Sequence, residues 1–236
     1  MNQFTRASYI KHRLLWIDIF KYAMSQGLVT FNVGQATLYK RPAKRQRDRL
    51  TIEAYKAIYE LADEWFQIAM DAALYTLQRR GDLVSIKYTD YKDGILQVIQ
   101  SKTGVALKIR ANSQLDGLIK RSVRTGVMSK HLVHKNPAHK RHEYMAKKDH
   151  WAMVTPEMLS REFAKLREKA GIEPAAGMNP PTFHEIRSLG GRLLEEQGHS
   201  KEFIQALMGH TDQAMTAHYL EDGSIDWQMA EAALKL

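Results

Sequence analysis

One short hairpin among strong helix starts most constrains what this chain can fold into. Ile95 to Gln100 and Val105 to Ile109 read as strands, and Ser101-Lys102-Thr103-Gly104 between them supplies a turn containing glycine. Elsewhere helix signals dominate. Thr51 is an N-cap, with Glu53 in the first turn, for a helix to about Ala62. A second helix, Glu64 to Gln78, delivers Arg79 at its end. Thr155-Pro156-Glu157 opens a helix to about Ala170, with proline in the first turn. Thr182 and Glu185 make a capping box for a helix from Phe183 to Gln197, which Gly198 closes. Ser200 and Thr211 cap two shorter helices, with Tyr219 at the end of the second. Ser224 to Leu236 reads as a final amphipathic helix, with Ile225, Met229 and Ala233 on one side. The expected fold class is therefore α+β, mainly α-helical, with a small antiparallel β-sheet.

The main domain is expected at residues 49–236. Before it, Ser8 to Gln26 predicts an amphipathic helix with Ile10, Leu14, Ile17, Tyr22, Trp16 and Phe20 as its apolar side and Gly27 as its stop. One helix cannot bury that side alone, so residues 1–29 are expected to be the last piece of another domain or to pack on the rest of the chain. Residues 30–48 read as a basic linker, polar and without a sustained period, with Gly34 and Pro42. A hydrophobic fraction of 44% suffices for a core. The chain has no cysteine, which excludes disulfides, thiolate metal sites and a cysteine nucleophile. It has no run of about 18 apolar residues and no signal-peptide core near Met1, so the expectation is a soluble, cytoplasmic protein with no membrane partner.

A formal net charge of +9 points to a polyanionic partner. The charge is concentrated in two places. Lys40, Arg41, Lys44, Arg45, Arg47 and Arg49 crowd one segment against the single acid Asp48. A second basic stretch runs from Lys130 to Lys148 and includes Lys135, Lys140, Arg141 and Lys147. Two separated segments suit a protein that grips phosphates from more than one side, so Lys40, Arg41, Lys44, Arg45, Arg47, Lys140 and Arg141 are candidate DNA contacts.

Six residues carry the candidate chemistry: Arg79, Lys102, His184, Arg187, His210 and Tyr219. His184 and Arg187 lie three apart at a helix N-terminus, where unpaired N–H groups and the dipole favour a bound phosphate. Two guanidiniums can hold both non-bridging oxygens of a phosphodiester in transfer. With a lysine and histidines beside them no metal is required, and the chain shows no compact carboxylate cluster to bind one. A free phenol has a pKa of about 10, so about one in a thousand is ionised at neutral pH. Tyr219 therefore needs neighbouring cations or a base, which His210 and the arginines can supply. Attack by Tyr219 on a DNA phosphate would give a phosphotyrosyl ester and expel a deoxyribose hydroxyl. Lys102, at the hairpin tip, is the candidate acid for that leaving group. The ester conserves the bond, so rejoining needs no ATP or other cofactor.

In order and spacing these residues resemble the catalytic domain of the tyrosine recombinases, and most resemble lambda-type phage integrases. The run from Thr76 to Ile109 resembles that family's first-arginine motif, hairpin and lysine. His184-Glu185-Ile186-Arg187 resembles its His-x-x-Arg motif, and Met208-Gly209-His210 followed by Tyr219 resembles its Leu-Gly-His and nucleophile. The resemblance implies a tyrosine-recombinase-like catalytic domain, preceded by one helix of a truncated core-binding domain. It also implies catalytic roles for the six residues, with Asp82 a supporting acid. The implied function is site-specific recombination through a 3′-phosphotyrosine. Double-stranded DNA is the implied partner, with a homo-oligomer, tetrameric during recombination, and accessory DNA-bending proteins. Leu77 departs from the pattern, which has glycine before the Gln-Arg pair; the expected consequence is a modest change in packing.

Other readings stay open at this level. His131, His134, His139 and His142 form two His-x-x-His pairs. Among so many lysines they read as a solvated, DNA-facing loop, although a metal-dependent nuclease would use them as ligands. A DNA-binding module with a dead site would bind without nicking. A type IB topoisomerase-like enzyme would share the cleavage chemistry and relax DNA as a monomer. The tail after Tyr219 is expected to pack against a neighbouring protomer.

Overall fold

The structure, a computed structural model, describes residues 5–39, 47–137, 150–209 and 227–235 and divides into two units, Met1–Arg47 and Asp48–Leu236. No helix among the described residues is long and apolar enough to cross a membrane.

In the first unit α1 spans Arg6–Ser25, begun by Thr5, whose side chain accepts from the Ser8 amide, and followed by Gly27 at φ +68°. The following chain is not a featureless linker. Asn32 caps a single helical turn, α2 (Val33–Ala36), and its amide also donates to the Ile17 carbonyl at 2.9 Å. Gly34 sits so close to α1 that a Cβ there would meet the Ile17 backbone nitrogen at 2.7 Å. The return segment half-covers Ile17, while Leu14, Leu15, Trp16 and Ile19 stay exposed and no residue of α1 is fully buried within the chain.

In the second unit α3 (Ile52–Glu60) starts at Thr51, which accepts from the Ala54 amide. It leads to α4 (Glu64–Thr76), whose buried residues include Phe66, Ile68, Met70 and Leu74 on several sides. Burial all round makes α4 the central helix. Against it pack α5 (Arg80–Ser85), α6 (Ser113–Val123), α7 (Pro156–Lys169) and α8 (Glu185–Glu196). Asp71, on α4, accepts from the Tyr55 hydroxyl at 3.0 Å and the Tyr59 hydroxyl at 2.8 Å, and faces the Arg121 guanidinium at 3.5 Å. Those bonds join α3, α4 and α6. Burial pushes the Asp71 carboxyl up, and the two phenols and Arg121 oppose that shift. A last helix, α9 (Lys201–Met208), begins at Ser200, which caps the Phe203 amide, and ends at Gly209 with φ +63°.

The hairpin forms as expected: β2 (Ile95–Ile99) pairs antiparallel with β3 (Ala106–Arg110), and β1 (Tyr91–Lys92) adds antiparallel to β2. Leu96 and Val98 with Leu107 and Ile109 face the core. The far edge differs from expectation. Trp227–Glu231 is not a helix but a strand, β4, lying parallel to β3, so the sheet is mixed, in the order β1-β2-β3-β4. Ile225, Met229 and Ala233 sit at helical spacing, but burial follows the other period: Ala230, Ala232 and Leu234 are all buried. A short segment that satisfies both periods is decided by what it can pair with, and the edge of β3 supplies partners. Gln197 then fixes the tail, donating to the Lys235 carbonyl at 2.8 Å. Residues 227–235 thus lie against their own chain.

Two further differences concern helix ends. Thr182 is not the cap of α8; its carbonyl accepts from the Glu185 amide at 2.8 Å in a preceding turn, and His184 occupies the N-cap position without a side-chain cap bond. At the end of α4, Leu77 is left-handed at φ +53°. A branched residue there costs about 1–2 kcal/mol, which explains why glycine suits the position and makes the substitution more than a matter of packing. Leu77 is fully buried. Its side chain occupies space left by Gly190 of α8, where a Cβ would meet Leu77 Cδ2 at 2.5 Å and the Leu74 carbonyl at 2.8 Å.

Gly190→Ala should therefore destabilise the domain by about 1–3 kcal/mol in urea unfolding. Adding Leu77→Gly should recover the side-chain clash but not the backbone one. The double variant should consequently lose less than the sum of the two single losses.

Candidate active site

Leu77 turns the chain so that Gln78 points inward and Arg79 becomes the N-cap residue of α5. Gln78 is almost fully buried; its amide nitrogen donates to the Thr76 carbonyl at 2.7 Å and the Leu207 carbonyl at 2.9 Å. From the end of β2, Gln100 enters the same space with no exposed surface. Its Oε1 accepts from Arg79 Nη1 at 2.5 Å and from Thr103 Oγ1 at 2.9 Å. Its Nε2 donates to Gln78 Oε1 and to the Met208 carbonyl, both at 2.8 Å.

Arg187, in the first turn of α8, is 5% exposed, and its Nη2 donates to that same Met208 carbonyl at 2.9 Å. The two arginines are thereby gathered on one polar cluster. Burial, and next the repulsion of Arg79, push the Arg187 pKa down to about 10, while Asp82 opposes the shift. The guanidinium stays charged at neutral pH. Two like charges gathered in a partly desolvated place favour an anion between them.

Asp82 of α5 is buried and accepts from both the Ser101 amide, at 2.9 Å, and the Ser101 hydroxyl, at 2.8 Å. The hairpin turn is thus held on both sides of Lys102: Ser101 by Asp82, Thr103 by Gln100. Lys102 itself is exposed at the turn. His184 is exposed at the start of α8, one turn from Arg187.

The structure therefore brings together Arg79, Arg187 and Asp82, and ties the turn carrying Lys102 to them. His210 and Tyr219 lie outside the described residues, as do Lys40, Arg41, Lys44, Arg45, Lys140 and Arg141. Gly209, immediately before His210, closes the described part of α9 against Gln100; a Cβ on it would meet the Gln100 amide at 2.6 Å. Arg47 belongs to the first unit.

The first histidine pair is not on the surface as expected. His131 is 1% and His134 3% exposed, so this part is not a solvated surface. His134 has one ring nitrogen 2.7 Å from Thr125 Oγ1 and the other 2.9 Å from the His131 carbonyl, which leaves neither available as a metal ligand. His139 and His142 lie outside the described residues. Among the described residues no group of three candidate ligands is placed to hold a metal.

Gln78, Gln100, Ser101 and Thr103 escape a reading that looks for charge and nucleophiles. The available signal is position: each glutamine directly precedes or lies two before a residue of the constellation. Neutral amides carry no chemistry until their partners are known.

Residues 48–224 match the phage integrase family. The chain is 36% identical over 220 residues to the integrase of Escherichia phage HK022, and 35% identical over 219 residues to that of Escherichia phage lambda. In both cases 91% of this chain is matched, but it spans only 58% of the relative's length. Among solved structures it is similar to a lambda integrase dimer bound to a COC′ core site, with TM-score 0.69 and 30% identity over 98% of this chain and 62% of that one. It is similar also to a lambda integrase tetramer bound to a Holliday junction, with TM-score 0.71 and 31% identity over 93% of this chain and 61% of that one. The shared fold is that of the lambda integrase catalytic domain, and the chain belongs to the phage integrase family.

Proposed function

We propose that this chain is a site-specific DNA recombinase that cleaves and rejoins strands through a 3′-phosphotyrosine at Tyr219, without metal or ATP. One observation supports it above the others: Arg79 and Arg187 reach one shared cluster, Arg79 through Gln100 and Arg187 directly at the Met208 carbonyl. That arrangement suits a phosphodiester, whose non-bridging oxygens can each take a guanidinium. The Tyr219 phenolate oxygen attacks phosphorus, and the bond from phosphorus to the 5′ oxygen breaks. His210 and the arginines favour loss of the phenolic proton, His184 adds a donor beside the phosphate, and Lys102 gives the leaving 5′ oxygen its proton. Asp82 supports the site through Ser101 and the field at Arg187. Rejoining is the same exchange reversed, by attack of a 5′-hydroxyl on the phosphotyrosyl ester.

The partner is double-stranded DNA, contacted by Lys40, Arg41, Lys44, Arg45, Arg47, Lys140 and Arg141. The related dimer and tetramer on DNA support a homo-oligomer at work, up to a tetramer during exchange, inside a bacterial cell. In this reading residues 1–29 are the last helix of a core-binding domain, 30–48 the basic connection and 49–236 the catalytic domain.

Incubation of the chain with a nicked suicide duplex in EDTA should yield a covalent adduct on a denaturing gel. Tyr219→Phe should give none while retaining DNA binding, and an adduct from that variant refutes the assignment. If about six to ten phosphates are contacted, affinity should fall about 10³–10⁵-fold between 50 and 200 mM salt. A shallow response in a filter-binding titration refutes the basic contacts. Sulfate should raise the melting temperature of the wild-type chain, and Arg187→Gln should lose most of that increment.

A further inference from the structure

We propose that Gln100 is a positioning residue: its side-chain amide aims the Arg79 guanidinium and locks it to both the Lys102 turn and the end of α9. The proposal rests on the recombinase reading and goes beyond it, since Gln100 carries no charge and is not among the reacting groups.

The amide uses its whole bonding capacity. A glutamine side chain has two N–H donors and an oxygen that accepts twice, and each of the four is engaged. Its orientation follows from chemistry. Arg79 is donor-only, so it must face Oε1; the Gln78 oxygen and the Met208 carbonyl accept only, so they must face Nε2. Turning the amide over would set N–H against guanidinium and oxygen against two oxygens. With no exposed surface, water cannot relieve either clash.

Each partner belongs to a different part of the site. Arg79 starts α5, Thr103 follows Lys102, Met208 ends α9 two residues before His210 in sequence, and the Met208 carbonyl also holds Arg187. Gln100 is the one side chain among the described residues shown bonding Arg79, the hairpin turn and α9. The close fit at Gly209 leaves it no room to shift toward that helix. A neutral acceptor also suits the task. A carboxylate in this place would pair with Arg79 and compete with the phosphate, whereas an amide oxygen orients the guanidinium and leaves its charge for the substrate.

The test is a double-mutant cycle on adduct formation, with a nicked suicide duplex selected from a randomised pool for reaction with the wild-type chain. Gln100→Met keeps length and removes every hydrogen bond. It should slow adduct formation about 10²-fold while leaving DNA affinity within about threefold. Arg79→Lys keeps the charge but lacks the fork. In the Arg79→Lys background, adding Gln100→Met should cost less than about threefold, because the group it aims is already gone. Equal losses in the two backgrounds, or no loss in either, overturn the proposal. If melting shows that Gln100→Met does not fold, Thr103→Val removes one hydrogen bond to Oε1 and takes its place. Its slower cleavage should likewise vanish in the Arg79→Lys background, and persistence there overturns the proposal. Absence of any adduct from the wild-type chain overturns the recombinase reading itself, and this proposal with it.

Discussion

Holding two guanidiniums near each other in a partly buried place works against the folded state, and the rest of this site is arranged around that cost. Arg187 shows it directly: burial and Arg79 together lower its proton affinity. What makes the arrangement tolerable is a set of neutral acceptors, the Gln100 amide oxygen for Arg79 and the Met208 carbonyl for Arg187. Neutral acceptors satisfy hydrogen bonds without cancelling charge. The buried Asp82 carboxylate offsets part of the repulsion while bonding to Ser101. The attraction left over is available to an anion.

The same cluster explains why the surrounding backbone is shaped as it is. Gln78 can reach inward only because Leu77 adopts a left-handed conformation at the end of α4. Leu77 can be accommodated only because Gly190 leaves α8 without a side chain at the crossing. Gly209 ends α9 in another left-handed turn, against Gln100 and directly before His210. A strained residue at one helix end, a missing Cβ on the next helix and a glycine on a third thus serve a single polar cluster. Each backbone device lies within two residues of a group in the site, or packs against one that does.

Much of this was legible beforehand where the signal is local. Thr51, Thr155 and Ser200 cap the helices expected of them, because an N-cap acts on amides three residues away. The hairpin from Ile95 to Ile109 was legible for the same reason. Signals that need a distant partner failed. The final strand had the spacing of a helix, and only the open edge of β3 decided between the two. Thr182 failed for a local reason: its carbonyl accepts from the Glu185 amide in an additional turn, so His184 takes the N-cap position of α8. His131 and His134 looked solvated among lysines, yet both are buried, and the His134 ring bonds Thr125 and the His131 carbonyl.

The sequence by itself determined the reactive inventory: which charged groups exist, in what order, and with what spacing along helices and one hairpin. Those properties belong to side-chain chemistry and local geometry, and they need no knowledge of the distant chain. Tertiary structure alone decided that Arg79 and Arg187 meet, that the Gln100 amide and the Met208 carbonyl connect them, and that the last described strand closes the sheet in parallel. Gln100 and Met208 are 108 residues apart, and no local pattern records a hydrogen bond across that distance. It exists because the fold buries both groups in one place, where an unmet donor or acceptor would be costly.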